Sequence, residues 1–312
     1  MGSGFAVFTV IAILALPLRL VVNDMGVFRS VIWWAGSPVL FGTIMVLLDI
    51  IFIVPLRRGQ HLLMNDPVLN REMTVVLTAY NDELSIGEAV RDFSSHPLVK
   101  RVIVVDNNST DQTRAMAITA GAIVVSEGLQ GYGHCVFRAL KEGAVYDDTD
   151  LVALCEGDLT FNAADLEKLL SYIAHADIVN GTRIVEQLRS PVTQLTTFMY
   201  WGNFGGAKLL EAKHLGRGTI TDLGTTYKLC RTACLRQNLG LFDPTVNLEF
   251  NAHFIDTVLG SGIKLVEVPV CFFPRVGLSK GGNLSNIRAI QVGIGMLVGI
   301  VFSWRLVAKR GI

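Results

Sequence analysis

Between residues 70 and 275, short apolar runs rich in β-branched residues alternate with stretches of helical periodicity, and this alternation narrows the possible folds more than any other feature. Residues 73–79 carry Val75, Val76 and Leu77, residues 101–106 read as a buried strand ending in a carboxylate, and residues 122–126 and 151–155 follow as strands. Ile178 and Val179 begin another. Residues 84–94, 111–120, 134–145 and 164–174 read as helices. Thr110 is the expected N-cap of the second, with Asp111 in its first turn. Leu166, Leu169, Leu170 and Ile173 share one face of the fourth. The pattern predicts an α/β fold: a mostly parallel sheet with helices on both faces. In such sheets ligands sit beyond the carboxyl ends of the strands, near the reversal of strand order.

Polar residues stand at those positions. Tyr80-Asn81-Asp82-Glu83 follows the first strand, and residues 106–111 (DNNSTD) follow the second. Gly131-Tyr132-Gly133 opens a helix, and Glu156-Gly157-Asp158 ends a strand. No G-x-G-x-x-G follows the first strand, which argues against a dinucleotide oxidoreductase. In Glu156-Gly157-Asp158 one spacer lets two carboxylates reach one hard cation, Mg²⁺ or Mn²⁺, with phosphates and water completing its shell. Taken alone, the triplet reads equally as a solvated acidic turn. Asp106 and Asp222 have similar alternatives as turn residues, and Glu249 as a member of a surface ion pair.

Charge is distributed unevenly. Only 17% of residues are charged, against roughly 25% in ordinary chains. Arg19, Asp24, Arg29 and Asp49 are the only charged residues before residue 55. Two transmembrane helices are expected at about 4–22 and 31–54, with Trp33 and Trp34 as interface anchors. A cleaved signal peptide fits poorly without a basic n-region, and Ala6 spoils a myristoylation signal at Gly2. Arg57 and Arg58 favour a cytoplasmic catalytic domain. The apolar stretch 289–304 is short for a span and is expected to lie in the membrane interface. Three regions follow: a membrane region over 1–58, a catalytic domain over 70–283, and a membrane-associated helix within 284–312. Gly293, Gly295 and Gly299 permit homo-oligomer contacts without requiring them. The 27 basic and 27 acidic residues cancel, so nucleic acid is not an expected partner. Five cysteines without a C-x-x-C pair read as free thiols, with Cys230 and Cys234 spaced for one helix face.

Taken in order, TAYNDE, VVDNNSTDQT, GYGHCVFRAL, EGD, GTR, DLGTTYKL and PRVGLSK resemble the motifs of family 2 glycosyltransferases of GT-A fold. They look most like its polyprenyl-phosphate branch, which contains the dolichyl-phosphate mannose synthases. The resemblance covers about residues 72–305. It implies that Tyr80, Glu83, Asp106 and Asn107 hold the donor's base and ribose. Glu156 and Asp158 fall on the metal motif, and Arg183 and Asn203 on the sugar and diphosphate pocket. Asp222 and Gly224 fall at the acceptor side of the sugar, and Arg275 and Lys280 on a phosphate clamp. Asn107 stands where a second aspartate is common, and Thr160 where a third metal ligand often stands.

The expected activity is inverting transfer of a hexose from a nucleotide-diphosphate sugar to polyprenyl phosphate by a membrane-anchored, metal-dependent enzyme. A cation on the diphosphate would stabilise the leaving group, with Arg275 and Lys280 adding positive charge. An ionised lipid phosphate needs no strong base. A hydroxyl on a glycolipid or polysaccharide, the alternative acceptor, does, and Asp222 is then the candidate. A non-catalytic membrane scaffold of the same fold is the remaining alternative.

Overall fold

The structure, a computed structural model, describes residues 64–214, 217–277 and 286–308, with isolated positions at 26, 40, 44, 47 and 51. The chain divides into two units, Met1–Leu62 and Leu63–Ile312. The second carries a seven-stranded sheet of order β3-β2-β1-β4-β6-β5-β7. The strands are β1 (Met73–Ala79), β2 (Val99–Asp106), β3 (Ile123–Ser126), β4 (Leu151–Glu156), β5 (Ile178–Thr182), β6 (Lys228–Arg231) and β7 (Leu265–Pro269).

All seven residues of β1 are buried, as a central strand covered on both faces requires. Alternate side chains serve opposite layers: Val76 joins one apolar cluster with Ile103 and Leu154, and Val75 and Leu77 join the other with Phe93 and Leu151. Each fully buried aliphatic or phenyl side chain contributes about 1.5–3 kcal/mol relative to exposure. β1 pairs in parallel with β2 on one side and β4 on the other, and β2 pairs in parallel with β3. The sheet therefore grows in opposite directions from the β1–β4 seam, and the ligand crevice of an open α/β sheet forms at such a reversal. In register, Ala79 lies opposite Asp106 and Thr78 opposite Glu156. The expected sheet is modified at β6, which runs antiparallel to both β4 and β5.

The helices are α1 (Ile86–Ser94), α2 (Thr113–Thr119), α3 (Tyr132–Gly143), α4 (Leu166–Leu170), α5 (Thr197–Lys213), α6 (Thr232–Asn238), α7 (Phe250–Gly260), α8 (Asn286–Val301) and α9 (Trp304–Ala308). Several boundaries differ from expectation. α2 starts later than Asp111, and Asp111 rather than Thr110 accepts from the Thr113 N–H, at 3.0 Å. The helix expected over 164–174 is broken into 3-10 turns flanking α4, although its apolar face stays buried. Cys230 lies on β6 and Cys234 on α6, so they do not share a helix face, and all five cysteines are free.

The membrane expectations need correction. The spans expected at 4–22 and 31–54 lie outside the described residues apart from a few isolated positions. Among the described residues no helix is long and apolar enough to cross a membrane. The described residues therefore give no support to the expected transmembrane hairpin, integral-membrane placement or cytoplasm-facing orientation. The stretch expected to lie in a membrane interface forms α8 and α9, with α8 packed on α5 and α7. Ile300 and Val307 are buried against the domain. A buried carboxylate pins this arrangement: Asp256 on α7 accepts from Lys213 Nζ at 2.7 Å, His214 Nε2 at 2.5 Å and Trp304 Nε1 at 2.6 Å. Three donors on one carboxylate offset the cost of burying it. Part of the apolar surface of α8 thus has a use inside the protein, while Ile290, Ile294, Leu297 and Val301 stay exposed.

Candidate active site

The loops leaving β1, β2 and β4 each turn through a residue in the left-handed region: Asn81 (φ 51°), Asn108 (φ 58°) and Leu159 (φ 65°). Asparagine tolerates that conformation because its side chain bonds locally. Asn81 Oδ1 accepts from the Thr110 N–H at 2.7 Å, tying the first loop to the second. A branched leucine there is strained. The strain at Leu159 is held by its neighbours: the Thr160 N–H and hydroxyl donate to Asp158 Oδ1 at 3.0 and 2.6 Å, and the Val276 N–H donates to the Asp158 carbonyl at 3.1 Å. Gly157 is needed because a Cβ there would strike the Ile86 side chain.

These loops border a cavity of about 680 Å³. Its polar end is lined by Tyr80, Asn107, Glu156, Asp158, Arg183 and Arg275, with Asn203 and Gly224 beside Arg183. Its other end is largely apolar, although Arg288 of α8 also borders the cavity. Phe198, Met199 and Gly206 of α5 face Val292, Gly293 and Met296 of α8 across it.

The polar end holds paired charges. Arg275 forms ion pairs with Asp82 at 2.7 Å and Asp158 at 3.0 Å. Burial, and then the charge of Glu156, push the Asp158 carboxyl up to about 7 against the opposing pull of Arg275. Arg183 and Asp222 form a buried two-pronged pair, Nε to Oδ2 and Nη2 to Oδ1, both 2.7 Å. The backbone N–H groups of Arg183 and Gly224 also donate to Asp222, at 3.1 and 2.9 Å. Although burial opposes it, the Arg183 charge holds the Asp222 carboxyl below its ordinary value. A Cβ at Gly224 would come within 2.7 Å of Arg183 Nη2, so glycine keeps room for the guanidinium.

The structure thus brings Tyr80, Asn107, Glu156, Asp158, Arg183, Asn203, Gly224 and Arg275 around one cavity. Three expected residues do not line it. Glu83 accepts from the Gln112 N–H at 2.9 Å, and Asp106 accepts from the Ser109 N–H at 3.2 Å, closing its own turn. Asp222 lies behind Arg183, with both oxygens engaged. Asn107 borders the cavity while tying down the 127–131 loop, donating to the Leu129 carbonyl at 2.7 Å and accepting from the Gly131 N–H at 2.9 Å. Lys280 lies outside the described residues.

Sequence reasoning missed four contributors. Asp82, the partner of Arg275, was present in the quoted Tyr80-Asn81-Asp82-Glu83 run. Tyr132 and Thr226 reach Glu156 directly and Asn251 bonds both of them; Tyr132 and Thr226 stood in the quoted GYGHCVFRAL and DLGTTYKL runs without a role, and no local signal marks Asn251. Among the described residues no third Asp, Glu, His or Cys joins Glu156 and Asp158 in a metal-binding group.

Residues 74–237 match the family described as glycosyl transferase family 2. An uncharacterised glycosyltransferase of Mycobacterium tuberculosis is 29% identical over 76% of this chain and 98% of its own length. A dolichyl-phosphate hexose transferase of Haloferax volcanii is 27% identical over 72% of this chain and 92% of its own. Among solved structures, the glucosyl-3-phosphoglycerate synthase of M. tuberculosis, bound to Mn²⁺, uridine diphosphate and phosphoglyceric acid, superposes with a TM-score of 0.52. It is 21% identical, over 74% of this chain and 78% of that one, and shows a shared fold. The similar proteins thus include ones named for unlike acceptors. The comparisons do not single out an acceptor, and the expected placement in the polyprenyl-phosphate branch is withdrawn, and with it the lipid-phosphate acceptor.

Proposed function

The chain belongs to glycosyl transferase family 2 and is a glycosyltransferase, and from that premise we propose that it moves a sugar from a nucleotide diphosphate to a hydroxyl on an acceptor with an apolar portion. The two-ended cavity carries this reading: charged and polar groups at the strand ends, apolar helix faces opposite them. The donor's diphosphate and sugar belong at the polar end, where Arg183 and Arg275 supply positive charge. The acceptor's apolar portion belongs between α5 and α8, where it loses contact with water.

Glu156 and Asp158 fit a divalent cation, Mn²⁺ or Mg²⁺, as its protein ligands. Both border the cavity, one spacer apart, and burial together with the Glu156 charge raises the Asp158 carboxyl. Such a cation, when bound, supplies positive charge to the departing diphosphate. Arg275 balances Asp158 and Asp82 and brings its guanidinium to the cavity wall. Arg183 faces the cavity with its planar fork held rigid by Asp222, so charge is aimed without reorganisation during transfer. Asp222 acts through Arg183: a carboxylate with both oxygens engaged and a lowered pKa is a poor proton acceptor.

The test is a panel of labelled nucleotide sugars offered with amphiphilic alcohols and glycolipids, with Mn²⁺ or with excess chelator. Metal-dependent labelling of an amphiphile at a hydroxyl supports the reading. Full transfer in chelator contradicts the metal role, and transfer only to acceptors lacking an apolar portion contradicts the acceptor class.

A further inference from the structure

Beneath the polar end lies a buried lysine that the transfer chemistry leaves unused. Lys228, at the start of β6, is fully buried. Its Nζ donates to the Thr225 carbonyl and, at 3.2 Å, to Asn251 Oδ1, and lies 5.5 Å from the Phe254 ring centroid. An ammonium has donors only, so it fixes the Asn251 amide with its oxygen toward the lysine and its nitrogen away. Asn251 Nδ2 then donates to the Tyr132 hydroxyl at 2.8 Å, to Thr226 Oγ1 at 3.2 Å and to the Gly224 carbonyl at 3.3 Å. The amide's two hydrogens are shared among these three acceptors, and the two hydroxyls send their own protons onward. Thr226 Oγ1 donates to Glu156 Oε1 at 2.7 Å. The Tyr132 hydroxyl lies 3.3 Å from the same oxygen and also bonds Thr226.

The hydrogen bonds therefore run one way, from ammonium through amide and hydroxyls to one oxygen of one carboxylate. We infer that Lys228 and Asn251 are positioning residues for Glu156: they fix Oε1 as the end of the chain and leave Oε2 outside it to meet a divalent cation. The inference rests on the reading of Glu156 as a cation ligand. Partners behind a metal ligand commonly govern affinity by 10–100-fold, and a network whose every proton has one direction holds its terminal group more firmly than isolated contacts do.

Asn251→Asp tests the direction of the chain. It preserves size and the contact with Lys228, but its carboxylate takes protons from Tyr132 and Thr226 instead of giving them. Thr226→Val removes the last hydroxyl while keeping its shape, and Thr226→Ser restores it. Mn²⁺ binding to the metal-free full chain, without donor, is measured by calorimetry beside thermal unfolding. Wild type and Thr226→Ser bind Mn²⁺ alike, while Asn251→Asp and Thr226→Val bind it about tenfold more weakly or worse. Thr226→Val suffices if Asn251→Asp fails to fold, since rescue by serine separates the hydroxyl from packing. Unchanged Mn²⁺ affinity in folded Thr226→Val overturns the positioning role and leaves the cation reading standing. No Mn²⁺ binding by wild type overturns both.

Discussion

The two ends of the cavity are built on different principles. The polar end stands mostly on strand termini and the turns that follow them, with Asn203 added from α5, and its charged side chains Glu156, Asp158, Arg183 and Arg275 are held by hydrogen bonds or ion pairs. The apolar end stands on two helices, α5 and α8, whose facing residues need only be apolar and of suitable size. A diphosphate demands charges at fixed positions, and the rigid sheet supplies them. An apolar group demands displaced water and little direction, and packed helices suffice. Specificity for the acceptor can then change by substitution on α5 and α8 without disturbing the charges that serve the donor.

The sharpest way to break this contrast is Asp158→Asn. Removing one charge of the carboxylate pair lowers transfer on the order of 10²–10³-fold, measured as the initial rate at saturating donor and acceptor, while the acceptor KM changes little. A comparable change in acceptor KM would mean that the two ends do not act separately.

Gly293→Phe sharpens the same contrast from the other side. A Cβ at Gly293 meets no atom within 4 Å, and the residue borders the cavity. A phenyl group fills acceptor space and raises the acceptor KM about tenfold, a loss near 1.4 kcal/mol. The donor KM stays within about twofold. Thermal stability does not fall, because glycine in a helix interior costs about 1 kcal/mol relative to alanine.

A third effect, on stability and not on transfer, concerns the support behind Arg183. Glu267 accepts from the Thr221 N–H and hydroxyl, both at 2.7 Å, and from the Asp222 N–H at 3.2 Å. Burial pushes its carboxyl from 4.5 up to about 7. The folded state therefore holds a proton that the unfolded state has released, and this contribution to stability declines as pH rises from about 4.5 to about 7. Asp222, held low, behaves oppositely: its contribution is lost as pH falls. Glu267→Gln removes the first trend, flattening unfolding free energy against pH by on the order of 3 kcal/mol across that window. Denaturant unfolding at several pH values reads this directly, and an unchanged slope would show that Glu267 does not hold the Asp222 loop through its proton.

The polar end was largely legible in the sequence because two local rules meet there. Apolar runs reveal strands, and a parallel sheet places ligands at strand ends, so Tyr80, Asn107, Glu156 and Asp158 could be found by position alone. The resemblance added Arg183 and Asn203. Groups whose partners lie far away could not be read. Asp82 meets Arg275 across 193 positions, and Lys228 meets Asn251 across 23. Lys228 sits in a four-residue strand, where a lysine normally signals solvent. The stretch 289–304 could not be assigned from sequence, for a physical reason. Apolarity along 289–304 measures avoidance of water and does not distinguish lipid from the wall of a cavity. α5 carried no clear apolar stripe, its glycines and aromatics being spread around the helix.

The division of the cavity is tested most directly by calorimetric titration of uridine and guanosine diphosphates, with Mn²⁺ present, into wild type, Asp158→Asn and Gly293→Phe. The account predicts that wild type binds one of these nucleotides in a Mn²⁺-dependent manner, that Asp158→Asn loses that dependence, and that Gly293→Phe binds as wild type does. Nucleotide binding weakened as much by Gly293→Phe as by Asp158→Asn would contradict it.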